Sequence, residues 1–343
     1  MAGAPFTGDV ARLWEEVTAC PSDDGARAVL ADLLQLAGDP RGELISLQLL
    51  SAEDAVARQE RIQELLRDHA VEWLGPLRDV VQAVRFDRGF LGALEIDVKW
   101  PADSPRWERP LANRTLLTVT ELPRPSWSPT DKDEGAVYAR FMTSPAMPAL
   151  RRIDVFDAGS VVGLETCAAP LTHVSCVLRP SDGEDTLIGE RILPACGRRA
   201  TITSLAMFAD TFPLVAASRW FERLSTITVA CEARRGLALW PRVPPGAVLI
   251  VVPSPGIEPC TVAFPWDYRI ELAHEAGTLV ARIAGEWVLQ PLSALAALPR
   301  KVSRIEIEHT SELMARRVSE AVARPGVEVI VQAPRRAGNL RWT

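Results

Sequence analysis

The sequence predicts an α/β fold: a leucine-rich-repeat-like solenoid with a mainly parallel sheet, preceded by a small all-α N-terminal module. Two observations lead there. The first is a framework of apolar-x-x-apolar-x-apolar, met at Leu150, Ile153 and Val155 and again at Leu171, Val174 and Cys176. It recurs at Ile202, Leu205 and Met207, at Leu224, Ile227 and Val229, and at Val302, Ile305 and Ile307. Alternating apolar residues mark a strand with one buried face. The first four copies start at 150, 171, 202 and 224, so they lie 21, 31 and 22 residues apart. That spacing suits units that each add one strand to a parallel sheet and return through a helix or coil. The second observation is the helical period of roughly the first 76 residues, which divides the chain into a helical module, 1–76, and an array, 77–343.

The module reads as four helices. Asp9 is placed to cap the first, with Val10, Leu13, Trp14 and Val17 on one face, and Pro21 stops it. Asp23 or Asp24 caps the second, whose expected inner face is Val29, Leu30, Leu33 and Leu34. Gly38 closes that helix with a positive φ, and Pro40 opens the next. Leu44, Ile45, Leu47 and Leu49 belong to the third. The fourth opens near Ser51, with Glu53 and Asp54 in its first turn, and ends at Trp73 and Leu74. Asp32 and Arg41 are expected to pair and fix the interhelix turn, and Glu43 to favour the start of the third helix.

The stretch from Ser22 to Gln48 resembles the bacterial repeat-companion domain, found N-terminal to leucine-rich-repeat-like arrays in myxobacterial and planctomycete proteins. The resemblance rests on Asp24, Arg27, Ala31, Asp32, Leu34 and the block Gly38, Asp39, Pro40, Arg41, Gly42 and Glu43. Leu30 and Leu33 stand where that family has Tyr and Trp, which keeps both positions apolar. The likeness extends through Glu72 to Leu77 and Arg85 to Phe90, covering about the first 98 residues. It implies an architecture of helical module plus array and assigns no biochemical role; the residues of the Gly38–Glu43 block themselves read as helix-turn stabilisation, with a small charged recognition surface as the alternative.

The array is expected to open with strands at Val81–Phe86 and Leu91–Ile96 around an Arg88-Gly89 turn. A Pro- and Trp-containing loop spans Trp100 to Pro110, and Leu116–Val119 reads as the next strand. Glu134–Met142, Thr211–Phe221 and Thr310–Ala323 read as backing helices, the last with Leu313, Val318 and Val322 inward and Arg316, Arg317 and Glu320 outward. Ala247–Val252 adds a strand. The alternation around Gly277 predicts a β-hairpin insertion, or an irregular pair of repeats, near 260–290. Val327–Val331 is the last strand.

Composition narrows function. Apolar residues make up 48% and charged residues 24%, the balance of a folded protein. A net charge of −6 and the lack of a basic stripe argue against nucleic acid. Lysine occurs only at 99, 132 and 301, so the arginines reflect GC-rich coding and not phosphate recognition. No apolar run approaches the ~18 residues of a membrane span, and the start lacks a signal peptide's pattern. Six scattered cysteines without a CxxC pair read as reduced thiols in a cytoplasmic protein. Four scattered histidines give no metal spacing. No catalytic motif and no cofactor signature appears. Cys176 or Cys231 could be paired with His173, but Cys176 fills an apolar framework position and His173 points to the other strand face.

What remains is protein binding. If the framework faces inward, the intervening positions face a partner. One column reads Phe156, Val177, Phe208, Ala230, Val252 and Glu308; another reads Arg152, His173, Ser204, Thr226, Val248 and Arg304. An apolar stripe rimmed by polar residues predicts a partner site at Arg152, Phe156, His173, Val177, Phe208, Thr226, Val252 and Arg304. A cover formed by the 260–290 hairpin or the backing loops, or a sheet buried on both faces, is the competing expectation. The favoured function is a non-enzymatic adaptor; an immunity-type inhibitor that occludes an enzyme is the alternative, and an enzyme with an unrecognised site the remote one.

Overall fold

A computed structural model describes residues 7–20, 23–50, 55–124, 134–176, 178, 186–253, 268–276, 278–285, 298–308 and 312–332. The chain divides into two compact units. The first is built mainly from residues up to Arg151, the second from Arg152–Glu165 and Leu171–Ala337.

In the first unit the four helices are α1 (Thr7–Ala19), α2 (Asp24–Leu36), α3 (Pro40–Leu49) and α4 (Ala55–Leu74). Asp9 sits in the first turn of α1, inside the helix it was expected to cap. The carboxylate of Asp23 accepts the Gly25 and Ala26 amides and starts α2. Gly38, at φ +74°, turns the chain out of it. Asp39 then caps α3 by accepting the Arg41 amide at 2.9 Å, with Pro40 in its first turn. The buried face of α2 is Ala26, Leu30, Ala31 and Leu34, packed against Leu13, Val17, Ile45 and Phe90. The expected inner residue Val29 is exposed and Leu33 only half-buried. The helix is rotated so that the small Ala26 and Ala31 let its neighbours approach.

The interhelix turn is not held by an Asp32–Arg41 pair. Asp32 is exposed, whereas Arg41 is buried with its guanidinium 5.0 Å from the rings of both Trp14 and Trp73. Burial, opposed by Asp39 and Glu72, lowers the Arg41 pKa to about 10. Glu43 instead pairs with Arg61 of α4 at 2.7 Å.

Strands β1 (Val81–Asp87) and β2 (Phe90–Ile96) form the predicted antiparallel pair. Arg88 and Gly89 both have positive φ, as a tight hairpin turn requires. This turn locks into the helices. Gln48 donates to the Phe86 carbonyl at 2.9 Å and accepts the Gly89 amide at 2.6 Å. Arg27 donates to the Arg88 carbonyl at 3.0 Å and lies over the Phe90 ring.

Beyond the loop come α5 (Glu108–Leu111), β3 (Glu121–Leu122) and α6 (Glu134–Met142). Leu116–Val119, expected as a strand, falls in a helical turn over Arg114–Thr118. Asn113 caps that turn by accepting the Thr115 amide, and the Thr118 hydroxyl donates to the Leu91 carbonyl. The strand is displaced to Glu121, parallel to β2.

The second unit runs β4 (Arg152–Val155), α7 (Ala158–Thr166), β5 (His173–Cys176), α8 (Leu193–Arg198), β6 (Ser204–Phe208), α9 (Phe212–Ala216), β7 (Thr226–Cys231), α10 (Ala233–Leu237) and β8 (Val248–Pro253). Each strand from β4 to β8 pairs in parallel with the next, and each connection carries a helix. Ile153, Val174, Leu205, Ile227 and Leu249 stand in register and are fully buried. Each contributes about 1.5–3 kcal/mol by leaving water.

The hairpin is part of the sheet. Strands β9 (Tyr268–Glu275) and β10 (Thr278–Gly285) pair antiparallel with each other. β9 runs antiparallel to β8, and β10 parallel to β11 (Val302–Glu308). The strand at 304–308 was expected beside 248–252, and two strands lie between them. The part of the expected insertion at 260–267 and 286–290 lies outside the described residues. α11 (Glu312–Val322) follows, burying Val318 and Val322 and exposing Arg316, Arg317 and Glu320 as predicted. β12 (Glu328–Gln332) closes the order, parallel to β11. Among the described residues no helix is long and apolar enough to cross a membrane.

Candidate functional site

Because strand side chains alternate, the residues between the framework positions share the opposite face of the sheet. On β4 to β8 they form two files in register. One is Arg152, His173, Ser204, Thr226 and Val248; the next is Asp154, Ser175, Ala206, Thr228 and Ile250. The second file continues through Glu271, Arg282, Glu306 and Ile330 on β9 to β12. These nine positions line one face of nine strands.

Two polar groups stand out on it. At the first, Nδ1 of His173 lies 2.7 Å from the Ser204 hydroxyl, and Nε2 lies 3.5 Å from the Ser175 hydroxyl. His173 and Ser175 are buried, and Ser204 is half-buried. Burial, aided by the charge of Arg152, pushes the His173 pKa well below its ordinary value, so the ring is neutral at pH 7. A neutral imidazole beside a serine has the spacing of a base and a nucleophile. Yet both nitrogens face hydroxyls, where a nucleophilic triad needs a carboxylate on the second nitrogen. The thiols are no better placed: burial raises the Cys196 and Cys231 pKa values to about 12, which keeps both protonated.

The second group centres on Arg282. It contacts Glu271 and Glu306 at 2.9 Å each and also pairs with Glu275, while Arg304 pairs with Glu306. Burial works against the charge of Arg282, but its three carboxylate hydrogen bonds raise its pKa above the ordinary value. Burial likewise opposes ionisation of Glu306; Arg282 and Arg304 outweigh it and lower that pKa. Sequence reading passed over this cluster, although its signal is visible. Glu271, Arg282 and Glu306 are lone charges set between apolar neighbours in alternating strands.

The predicted partner residues divide unevenly. Phe156 and Phe208 are 8% and 5% exposed, and His173 is also buried. Arg152, Thr226, Val252 and Arg304 are half-buried. Val177 lies outside the described residues, as does the side chain of Glu308. The apolar column is therefore not an exposed groove at Phe156, Phe208 or Ala230. Phe156 and Phe208 stand where the chain leaves a strand for α7 and α9. Ser160 accepts the Phe156 amide and Thr211 donates to the Phe208 carbonyl, closing both corners. Of the residues that carry the repeat-companion resemblance, Arg27 and Arg41 are buried, Asp32 is exposed, Gly38 and Asp39 form the interhelix turn, Pro40 and Gly42 lie in the first turn of α3, and Glu43 pairs with Arg61 of α4. Among the described residues no group of three or more His, Cys, Asp or Glu side chains could hold a metal ion.

Compared with protein-family models, with curated proteins and with solved structures, the chain matches none of them.

Proposed function

We propose that this chain is a non-enzymatic scaffold that binds a protein partner through the polar face of its parallel sheet. The observation that carries the reading is the file Arg152, His173, Ser204, Thr226 and Val248, in register on β4 to β8 and half-buried at every position but His173, with Arg304 also half-buried on β11; the next file, Asp154, Ser175, Ala206 and Thr228, is buried, which limits the contact to the starts of the strands. A file of this kind offers evenly spaced polar and charged contacts on a rigid support, and electrostatic matching of this sort gives specificity. The buried phenylalanines support the sheet from its corners and are not the contact. The leucine-rich-repeat-like reading is favoured by strands that follow chain order, with a helix in each connection from β4 to β8. The repeat-companion resemblance is favoured by Arg27 and Gln48 meeting the Arg88-Gly89 turn, since both of its matched segments then serve one packing unit. A reducing cytoplasmic setting, a protein partner and the absence of nucleic acid, cofactor and metal belong to the same proposal.

The test is affinity co-purification from the native host with the parent chain and with an Arg152→Glu, Thr226→Arg, Arg304→Glu triple variant. A protein held in stoichiometric amount by the parent and lost from the folded variant is the expected result. Loss of an enzymatic activity of that partner on binding selects the inhibitor form. Retention of the partner by the variant rejects this face as the contact.

A further inference from the structure

The first unit contains an open cleft of about 1000 Å³ that the sheet reading does not use. It lies between the end of α4 and the Trp- and Pro-containing loop before α5. Its lining is rich in cations for a protein of net charge −6: Arg78 pairs with Asp79 at 3.4 Å and Lys99 with Asp97 at 2.8 Å, while Arg106 and Arg109 line it beside the carboxylate of Glu108. Arg78, Lys99, Arg106 and Arg109 are all exposed.

The cleft has a rigid aromatic element. Trp100 is half-buried and packs edge-on against Trp107 at 5.3 Å. Trp107 is fully buried, packs against Phe141 of α6 at 6.0 Å, and donates its indole N–H to the Pro101 carbonyl at 3.0 Å. Arg140 of α6 also donates to the Ala102 carbonyl, so the chain directly after Trp100 is held by two hydrogen bonds. Arg106 lies 5.2 Å over the Trp100 ring. Stacking on an aromatic face pre-orders a guanidinium, leaving the N–H groups of its edge to donate to a carboxylate in a two-pronged contact.

We infer that this cleft binds an extended acidic peptide segment of a partner protein, with Arg106, held on the Trp100 ring, and Arg109 as the principal carboxylate contacts. The choice of peptide over nucleic acid rests on Asp79 and Glu108. A phosphate polymer carries a charge at every step and would meet both carboxylates, whereas a peptide can place main-chain N–H groups there. Pro76, Pro105 and Pro110 in the lining add rigid apolar surface and withhold backbone donors, which suits a side-chain-led contact with a peptide.

The test is fluorescence anisotropy with the full chain and three labelled probes: a Glu-rich peptide, the same peptide with Gln for every Glu, and a single-stranded oligonucleotide of equal charge. The Glu peptide should bind saturably and weaken as salt rises. The Gln peptide and the oligonucleotide should bind at least tenfold more weakly. An Arg106→Glu, Arg109→Glu double variant changes only exposed side chains, so it should keep its melting temperature while losing at least tenfold in Glu-peptide affinity. Trp100→Leu should lose affinity for the peptide without changing its salt dependence. Equal binding by the double variant, or by the Gln peptide, overturns the proposal. Tighter binding of the oligonucleotide replaces the peptide with nucleic acid. Concentration-dependent self-association abolished by the double variant makes the occupant a second copy of this chain, and also overturns it. The Arg152, Thr226 and Arg304 variant of the sheet should bind the Glu peptide like the parent, which separates failure of this site from failure of the sheet reading.

Discussion

Single atoms decide the packing of the helical module. At Gly42 an added Cβ would fall 2.6 Å from the Ala31 carbonyl oxygen and 2.7 Å from the Gln35 amide nitrogen, both backbone. Gly42→Ala is expected to cost about 1–3 kcal/mol, because α2 and α3 must separate to admit a methyl group; urea unfolding measures it, and a parent-like midpoint refutes the close approach. Asp32→Ala should change stability by less than about 0.5 kcal/mol, since the side chain is exposed and Arg41 is held elsewhere. His173 makes a residue-level statement about pH. Its folded pKa lies below the unfolded value of about 6.5, so the unfolded chain binds the extra proton first. Its contribution is therefore complete above about pH 6.5 and is lost as pH falls below that value. His173→Gln should flatten the fall in stability between pH 7 and pH 5; an unchanged slope would show that other groups cause it.

Among the elements, what could be read in advance depended on whether the cause was local. The Arg88-Gly89 turn, the Gly38 stop, the start of α3 at Pro40 and helix α6 follow from residues within a few positions, and the sequence displays them. The face of α2 did not, because Val29 and Leu30 are equally apolar and only the small neighbours Ala26 and Ala31 select Leu30. The Leu116–Val119 turn was misread for a related reason. Its apolar run has no preference until Asn113 and Thr118 find their partners. The site was legible in its files and not in its exposure. Burial of Phe156 and Phe208 depends on corners that alternation does not encode. The Arg282 cluster belongs to pairing between strands separated in sequence. Arg282→Ala should lower the melting temperature, because Glu271, Glu275 and Glu306 then face one another without the cation between them. Adding Glu271→Gln to that variant should recover part of the loss, more so at low salt; no recovery would show that the arginine stem, and not its charge, mattered.

For the molecule as a whole, the second unit shows how a parallel sheet can accept an antiparallel interruption. β9 reverses direction and β10 reverses it again, so β11 re-enters parallel to β8. Reversal is a matter of parity: one added strand would flip every later unit, whereas a pair restores the sense of travel. The side-chain files survive as well, because Leu249, Leu272, Ala281 and Ile305 remain in one line. The hairpin thus behaves as a removable even-numbered cassette. Replacing residues 254–297 with a short helical crossover would bring Leu249 opposite Ile305 without inverting β11 or β12. Such a chain should still unfold in a single cooperative transition with reduced strand content by circular dichroism, and loss of cooperativity would show that the cassette holds the two flanks together. A sheet built this way can gain or lose width in pairs of strands while the strands on either side keep their polarity.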